Sequence, residues 1–159
     1  MDVKPRMLYV DDEPENLIVF KAAFNKDFEV VTATSAIEAL AMLEKEADFN
    51  IIVSDQRMPE MTGVEFFQKI QEDKDGTRIL LTGYADMQAI INAINQGKIY
   101  YYCTKPWSRD ELKLILAKAL EYFQLTSKNK LLAKLMNNVG ELESLNRSSL
   151  SVIEKINGA

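Results

Sequence analysis

Residues 51–63 read IIVSDQRMPEMTG, and the rest of the chain is organised around this stretch. The initial apolar run predicts a strand that is buried on both faces, as strands of parallel sheets are. The strand delivers one aspartate, Asp55, and the turn residues Pro59 and Gly63 follow. Because ligands bind at the carboxyl ends of strands in open α/β sheets, Asp55 is a candidate site residue. From this stretch alone, a turn or helix-capping aspartate is the alternative.

Three further apolar runs each end at polar groups that suit a site: an acidic pair, a hydroxyl and an ammonium. They are residues 7–10 before Asp11 and Asp12, 79–81 before Thr82, and 99–103 before Lys105. If the strands are parallel, these groups converge on one edge of a sheet. Taken singly, Lys105 is also explained as a solvated loop lysine and Thr82 as a hydroxyl bonded to its own backbone. Four such strand ends in one chain favour a shared site.

Helix start signals alternate with the strand candidates along the chain. They are Pro14 in a first turn, capping boxes at Ser35 with Glu38, Thr62 with Glu65 and Ser108 with Glu111, and Asp86 ahead of an apolar run that Gly97 ends. A second strand is expected at residues 28–32. Five such units predict an α/β fold with a doubly wound parallel sheet, because parallel neighbours need crossovers and the helices supply them.

The composition limits the function. A chain of 159 residues with 47% hydrophobic content is long enough for one domain with an appendage. The absence of histidine excludes Ser-His and Cys-His catalytic pairs and histidine-based metal sites. The single cysteine, Cys103, excludes an internal disulfide. Because no apolar run suits a transmembrane span or a signal peptide, we expect a cytoplasmic protein without a membrane partner.

The net charge of −5 is unevenly divided along the chain. Residues 1–124 carry 14 Lys and Arg against 21 Asp and Glu, whereas residues 125–159 carry 5 against 3. An acidic body without a basic stripe argues against nucleic acid as a direct partner.

Three carboxylates at one sheet edge would repel one another. Two unit charges about 4 Å apart interact by about 4 kcal/mol at an effective dielectric near 20, so a cation is expected among Asp11, Asp12 and Asp55. Mg²⁺ fits best, because it binds one or two carboxylates and leaves room for phosphate oxygens. A carboxylate can accept a phosphoryl group when cations and hydrogen-bond donors surround the transferred oxygens. Lys105 and Thr82 could supply these contacts.

The chain from about Met7 to Phe123 resembles the receiver domain of bacterial two-component response regulators, the CheY-like family. The resemblance lies in Asp11-Asp12, Asp55-x-x-Met58-Pro59-x-Met61-x-Gly63, Thr82-Gly83 and Lys105-Pro106, in family order. It implies a flavodoxin-like sheet with strand order 2-1-3-4-5. It also implies a signalling switch whose only catalysis is its own phosphorylation and dephosphorylation, rather than an enzyme with external substrates.

By position, the resemblance also assigns roles to individual residues. It implies Asp55 as phospho-acceptor, Asp11, Asp12, Asp55 and the Arg57 carbonyl as Mg²⁺ ligands, Thr82 and Tyr102 as switch residues, and Lys105 as the phosphate-binding lysine. The Lys105-Pro106 peptide is expected to be cis. For Tyr102, an ordinary strand aromatic is the alternative. The implied partners are a sensor histidine kinase or histidine phosphotransfer protein, and a downstream output domain or protein.

The pattern changes after the receiver-like part. Residues 1–124 are expected to form the receiver, and residues 125–159 a C-terminal extension of one or two helices. Asn146 and Ser149 interrupt the apolar seam of this extension, and Gly140 weakens its middle, so a strict coiled coil is one of several interpretations. The others are packing on its own domain and contact with a downstream domain. Pairing would make the protein a homodimer.

Two rival functions stay open at this point. A phosphorylation-independent interaction module with a receiver fold would leave Asp55 unlabelled by a small phosphodonor. A Mg²⁺-dependent phosphatase of the haloacid dehalogenase type also uses an aspartate nucleophile at a strand end. That family has a second aspartate two residues later, where this chain has Arg57. Turnover of an external phosphomonoester would favour the phosphatase.

Overall fold

The computed structural model describes residues 3–45, 48–70, 75–83, 87–96 and 98–158. Strands and helices alternate along these residues, as the sequence predicts. In order they are β1 (Arg6–Val10), α1 (Pro14–Phe24), β2 (Glu29–Ala33), α2 (Ala36–Lys45), β3 (Ile51–Asp55), α3 (Gly63–Lys69), β4 (Thr77–Thr82), α4 (Met87–Asn95), β5 (Tyr101–Thr104) and α5 (Arg109–Asn157). Asp86 and Gly97, expected to bound α4, lie outside the described residues.

All five strands pair in parallel in one sheet with the order β2-β1-β3-β4-β5. The predicted fold class and strand order are therefore confirmed. Val10 pairs with Ser54 near the ends of β1 and β3, and Thr82 pairs with Thr104 at the ends of β4 and β5. This register brings the carboxyl ends of four strands to the same edge of the sheet.

Both faces of the sheet are covered. Successive side chains of a strand point to opposite faces. Leu8 and Ile52 therefore pack in a buried cluster with α2, α3 and α4, whereas Met7 and Ile51 pack in a second cluster with α1 and α5. All residues of β3 are buried, which explains why its sequence is a continuous apolar run up to Ser54.

Each of the three predicted capping boxes forms the hydrogen bond to its serine or threonine hydroxyl, with one difference in α2. The backbone N–H of Glu38 donates to Ser35 Oγ at 3.1 Å, as expected. However, the Glu38 carboxylate accepts from the backbone N–H of Thr34 at 2.9 Å, so the capping box closes one residue earlier than predicted. The other two predicted boxes place a side-chain oxygen on the expected N–H, at Thr62 with Glu65 and at Ser108 with Glu111.

One long helix, α5, continues into the extension, for which the sequence predicts one or two helices. The α5 helix is continuous, while the chain divides into two compact units, Met1–Phe123 and Gln124–Ala159. The change of pattern after residue 124 thus marks the end of the core and not the end of the helix. No proline interrupts α5, and Gly140 costs only about 1 kcal/mol in a helix interior. Neither α5 nor any other described helix is apolar enough over sufficient length to cross a membrane.

A buried hydrogen bond joins β4 to α5. At the start of β4, Thr77 Oγ1 donates to the carbonyl of Ala119 at 3.1 Å. At its other end β4 finishes at Thr82, and between the two it pairs with β3 on one side and β5 on the other. Strand β4, which has a neighbour on each side, therefore connects the polar edge of the sheet to helix α5.

Candidate functional site

Three carboxylates meet at the carboxyl edge of the sheet. Asp55 is the last residue of β3, and Asp11 and Asp12 directly follow β1. One carboxylate oxygen from each residue lies within 4.8 Å of the others. Asp11 is fully buried, Asp55 is 7% exposed and Asp12 is half-buried. The parallel register thus brings three carboxylates together in a site that is largely shielded from water.

Lys105 supplies positive charge to the same place. Its Nζ lies 2.6 Å from Asp55 Oδ1 and 4.0 Å from Asp11 Oδ2. The backbone N–H of Lys105 donates to the Thr82 carbonyl at 2.8 Å, which continues the pairing of β4 with β5 beyond the last strand residue. The Lys105-Pro106 peptide is cis, as expected.

The environment of Asp55 disfavours its charged form. Burial raises the pKa of Asp55 above its ordinary value, and the nearby charge of Asp11 adds to the rise. The hydrogen bond and charge of Lys105 and the backbone N–H of Gln56 act in the opposite direction, but burial is the largest cause. A further cation in the cluster would favour the ionised carboxylate, which is the nucleophilic form.

Asp11 is held by neighbours that the sequence analysis missed. The Tyr9 hydroxyl donates to Asp11 Oδ2 at 2.7 Å and Asn16 Nδ2 donates to the same oxygen at 3.1 Å. The backbone N–H of Glu13 donates to Oδ1 at 3.0 Å. Burial, followed by the hydrogen bond to Asp11, raises the pKa of Tyr9, so its phenol remains a donor. The available signal was strand periodicity, because residues two apart share a face of the sheet.

The turn that follows Asp55 packs closely against the strand it leaves. The Gly63 N–H donates to the Gln56 carbonyl at 3.0 Å, and the buried Gln56 side chain accepts from the Val64 N–H at 3.0 Å. A Cβ at Gly63 would lie 2.5 Å from the Asp55 carbonyl oxygen and 2.6 Å from a methyl carbon of Leu80. The absence of a side chain at Gly63 therefore lets α3 begin against the backbone of Asp55.

The remaining predicted site residues are Thr82 at the end of β4, Tyr102 in β5 and Arg57 in the turn after β3. Thr82 is buried at the end of β4, where its Oγ1 donates to the Gly83 carbonyl at 2.5 Å. Tyr102, in β5 opposite Leu80, is half-buried against the cluster formed with α2, α3 and α4. Arg57 is exposed in the turn after β3, and the metal-binding role of its carbonyl stays a prediction.

The carboxylate cluster suits Mg²⁺. It offers only oxygen ligands, which hard divalent cations prefer. Oxygens on opposite sides of a Mg²⁺ ion, each bound at 2.0–2.1 Å, are about 4.2 Å apart. The 4.8 Å span of the three carboxylates is close to this separation, so small side-chain movements suffice for binding.

Residues 7–117 match the response regulator receiver domain family. The chain belongs to this family. Receiver domains generally bind Mg²⁺ at an acidic pocket, and Asp11, Asp12 and Asp55 form such a pocket here. A curated relative of this receiver is the hydrogenase transcriptional regulatory protein HoxA of Cupriavidus necator, which is 37% identical over 121 residues. The match covers 76% of this chain and 25% of that protein.

Solved structures support the same assignment. The receiver is similar to the adenylate cyclase from Rhodopirellula baltica, with a TM-score of 0.79 and 32% identity, over 83% of this chain and 98% of that one. It is also similar to the signal receiver domain of an HD domain-containing protein from Pseudomonas fluorescens Pf-5, with a TM-score of 0.73 and 32% identity, over 80% and 95% of the two chains. The chain spans about a quarter of the length of the curated relatives it matches.

Proposed function

We propose that Asp55 accepts a phosphoryl group from the phosphohistidine of a sensor histidine kinase or histidine phosphotransfer protein, and that this switches a downstream output. Response regulators receive their signal from histidine kinases and drive output domains. The observation that carries the proposal is the Asp55 carboxylate, buried at a strand end beside Asp11 and Asp12 and 2.6 Å from the Lys105 ammonium.

The chemistry needs a carboxylate nucleophile and a way to offset the charge on phosphorus-bound oxygens. An oxygen of Asp55 attacks phosphorus, a P–O bond forms, and the P–N bond to the donor imidazole breaks with its electron pair returning to nitrogen. Asp11, Asp12, Asp55 and the Arg57 carbonyl would hold Mg²⁺, which supplies positive charge to the phosphoryl oxygens. Lys105 provides a second positive charge on the same side, because it already contacts Asp55.

Thr82 and Tyr102 form the proposed switch. In this structure the Thr82 hydroxyl donates to the Gly83 carbonyl, a neutral acceptor. A phosphoryl oxygen on Asp55 would be a charged and stronger acceptor for the same hydroxyl. Turning Thr82 toward Asp55 would change the packing at the end of β4. We propose that Tyr102, which is half-buried on the neighbouring strand, then moves inward.

A protein phosphodonor is supported by the surface beside the acceptor. Helix α1 follows the acidic pair, and its residues Ile18 and Val19 are 70% and 59% exposed. Val19 also lines a cavity together with Lys105 and Trp107. Adjacent exposed apolar residues next to a charged site are typical of protein docking surfaces. We expect the donor protein to contact α1 while its phosphohistidine reaches Asp55.

The extension formed by residues 125–159 is the proposed route to the output, either through a homodimer or through a downstream domain. Its large apolar side chains are 51–73% exposed, which supports pairing with another helix. The acidic receiver itself is expected to bind no nucleic acid directly.

Labelling tests the acceptor. With Mg²⁺ and an acyl phosphate as donor, the intact protein should gain one acid-stable, base-labile phosphoryl group on Asp55, located by mass spectrometry. Asp55→Asn should remove the adduct, whereas Ser54→Ala, a change at the adjacent hydroxyl, should retain it. An unlabelled wild type would favour the interaction module. Catalytic turnover of a phosphomonoester, with no stable adduct, would favour the phosphatase.

A further inference from the structure

The large apolar side chains of the second unit occupy only part of the helix surface. When Leu125 is placed at position a of a heptad, they fall only at positions a, d, e and g. They are Leu125, Leu132, Val139 and Ile153 at a, Leu135, Leu142 and Ile156 at d, Met136 and Leu150 at e, and Leu131, Leu145 and Val152 at g. Positions b, c and f hold only polar or charged residues, Ala133, Gly140 and Gly158.

This seven-residue period indicates that the partner of the apolar stripe is another helix. A helix with an exposed apolar stripe is stabilised when a second surface covers it. A period of 3.5 residues keeps the stripe in contact with another helix through a left-handed supercoil. Leu135 and Leu142 at d, with Val139 at the a position between them, favour two parallel strands over three or four.

We propose that the second copy of this chain covers the stripe, with the two α5 segments parallel and in register. This inference rests on the homodimer of the proposed function and specifies its geometry. The polar residues in the stripe distinguish the alignments. In the parallel register Asn146 faces its own counterpart and Ser149 faces its own counterpart, so each has a hydrogen-bonding partner. In a fully overlapping antiparallel pair, Asn146 would face Leu135, and Ser149 would face Leu132.

Four of the five g-to-e pairs beside the a and d positions match in the same alignment. In a parallel pair, a residue at g faces the residue five positions later, at e of the other helix. Apolar meets apolar at Leu131 with Met136 and Leu145 with Leu150, and polar meets polar at Gln124 with Asn129 and Asn138 with Glu143. The exception is Val152, which meets Asn157. In the antiparallel pair, g faces g and e faces e. Leu131 then meets Val152, but Leu145 meets Asn138, Met136 meets Glu143 and Leu150 meets Asn129. The parallel pairing therefore leaves fewer polar groups against apolar ones.

Among the a and d positions, Lys128 opposes the parallel register, and its location limits the cost. Lys128 occupies a d position and would face its own counterpart. It lies in the first turn of the stripe, and a lysine side chain can extend along apolar surface to place its ammonium in water.

Cysteine cross-linking tests the register. In the full chain with Cys103→Ala, Asn146→Cys would bring two thiols together at facing a positions, within the 4.4–6.8 Å Cα separation that a disulfide needs. Ser144→Cys, at an f position, is the matched control. Under oxidised glutathione, the Asn146→Cys protein should form a covalent dimer at least about tenfold faster than the control. Light scattering of the reduced proteins gives the oligomeric state, and acyl phosphate labelling of Asp55 gives the receiver function.

The outcomes separate the two levels of the proposal. A dimer in which Asn146→Cys chains do not cross-link to one another, while a mixture of Asn146→Cys and Leu135→Cys chains does, would establish the antiparallel alignment and overturn the register. A monomeric wild type would overturn the register together with the homodimer. In either case, continued labelling of Asp55 would leave the acceptor function intact, and loss of labelling in the wild type would count against that function instead.

Discussion

The Lys105 ammonium lies 2.6 Å from Oδ1 of Asp55, although Asp55 ends β3, Lys105 follows β5, and β4 lies between those two strands. The same ammonium is 4.0 Å from Asp11 Oδ2. In the absence of a metal ion, the Lys105 ammonium thus offsets the repulsion within the acidic pocket. Removing this charge should therefore lower the stability of the protein and slow its phosphorylation.

Replacing Lys105 by glutamine should destabilise the metal-free protein by about 1–2 kcal/mol, because a buried carboxylate loses its charged partner. Urea unfolding at neutral pH measures the change. Lys113→Gln is the matched control, since Lys113 pairs with Asp27 at 3.6 Å on the surface and should change stability by less than about 0.5 kcal/mol. Equal losses in the two variants would contradict a special role for the Lys105 contact.

Asp55→Asn should stabilise the metal-free protein at neutral pH. The pKa of Asp55 is higher in the folded state than its ordinary value of 3.8, so its contribution to stability is complete below pH 3.8 and is lost as the pH rises through the folded pKa. Asparagine does not titrate. The melting temperature of the variant should therefore exceed that of wild type at pH 7, and the difference should shrink toward pH 4. Added Mg²⁺ should stabilise the wild type more than the variant. A difference that grows on acidification would contradict the raised pKa.

Tyr9→Phe should weaken Mg²⁺ binding by about tenfold, because Asp11 loses the hydroxyl that orients its carboxylate. Trp107 is the only tryptophan and lines a cavity with Tyr9 and Lys105, so its fluorescence can follow a Mg²⁺ titration. Tyr101→Phe removes a hydroxyl from a ring that is 49% exposed and should leave the titration unchanged. An unaltered midpoint for Tyr9→Phe would show that the other two donors to Asp11 suffice.

Gly63→Ala should destabilise the receiver by about 2–3 kcal/mol, since its Cβ would overlap the Asp55 carbonyl oxygen and Leu80. Phosphorylation of Asp55 should slow at the same time, because α3 must move away from the acceptor strand. Gly140→Ala provides the opposite control: a Cβ there meets nothing within 4 Å, and alanine in a helix interior is about 0.5–1 kcal/mol more favourable than glycine. Thermal unfolding followed by circular dichroism compares the two, and a harmless Gly63→Ala would contradict the close packing.

Local sequence signals account for most of the fold and for the identity of the residues that the sheet edge gathers. The apolar run before Asp55 and the cap at Thr62 are read from a few neighbouring residues, and both are present in the structure. The strand order was available only through the family resemblance, because no local signal records which strands become neighbours. The contact between Lys105 and Asp55 depends on that order.

Other features arise from packing and were not foreseen. Tyr9 belongs to the apolar run at residues 7–10, yet the placement of Asp11 two residues later on the same face gives its hydroxyl a partner. The Glu38 carboxylate bonds to Thr34 because the backbone before α2 presents that N–H to it. The continuity of α5 was missed because a change in hydrophobic pattern reports burial and not the end of a helix.

The hydrogen bond from Thr77 to Ala119 makes β4 a rigid connection between the Thr82 end of the sheet and helix α5. A strand rises about 3.3 Å per residue, so the five steps from Thr77 to Thr82 span about 17 Å. Because β4 is paired on both sides, it resists bending and sliding, and a displacement applied at the Thr82 end is carried along its length. The far end is fastened to the carbonyl of a residue in α5, and the same helix continues to Asn157. Strain at the phosphoryl-accepting edge therefore has a short route to helix α5, through one strand and one hydrogen bond.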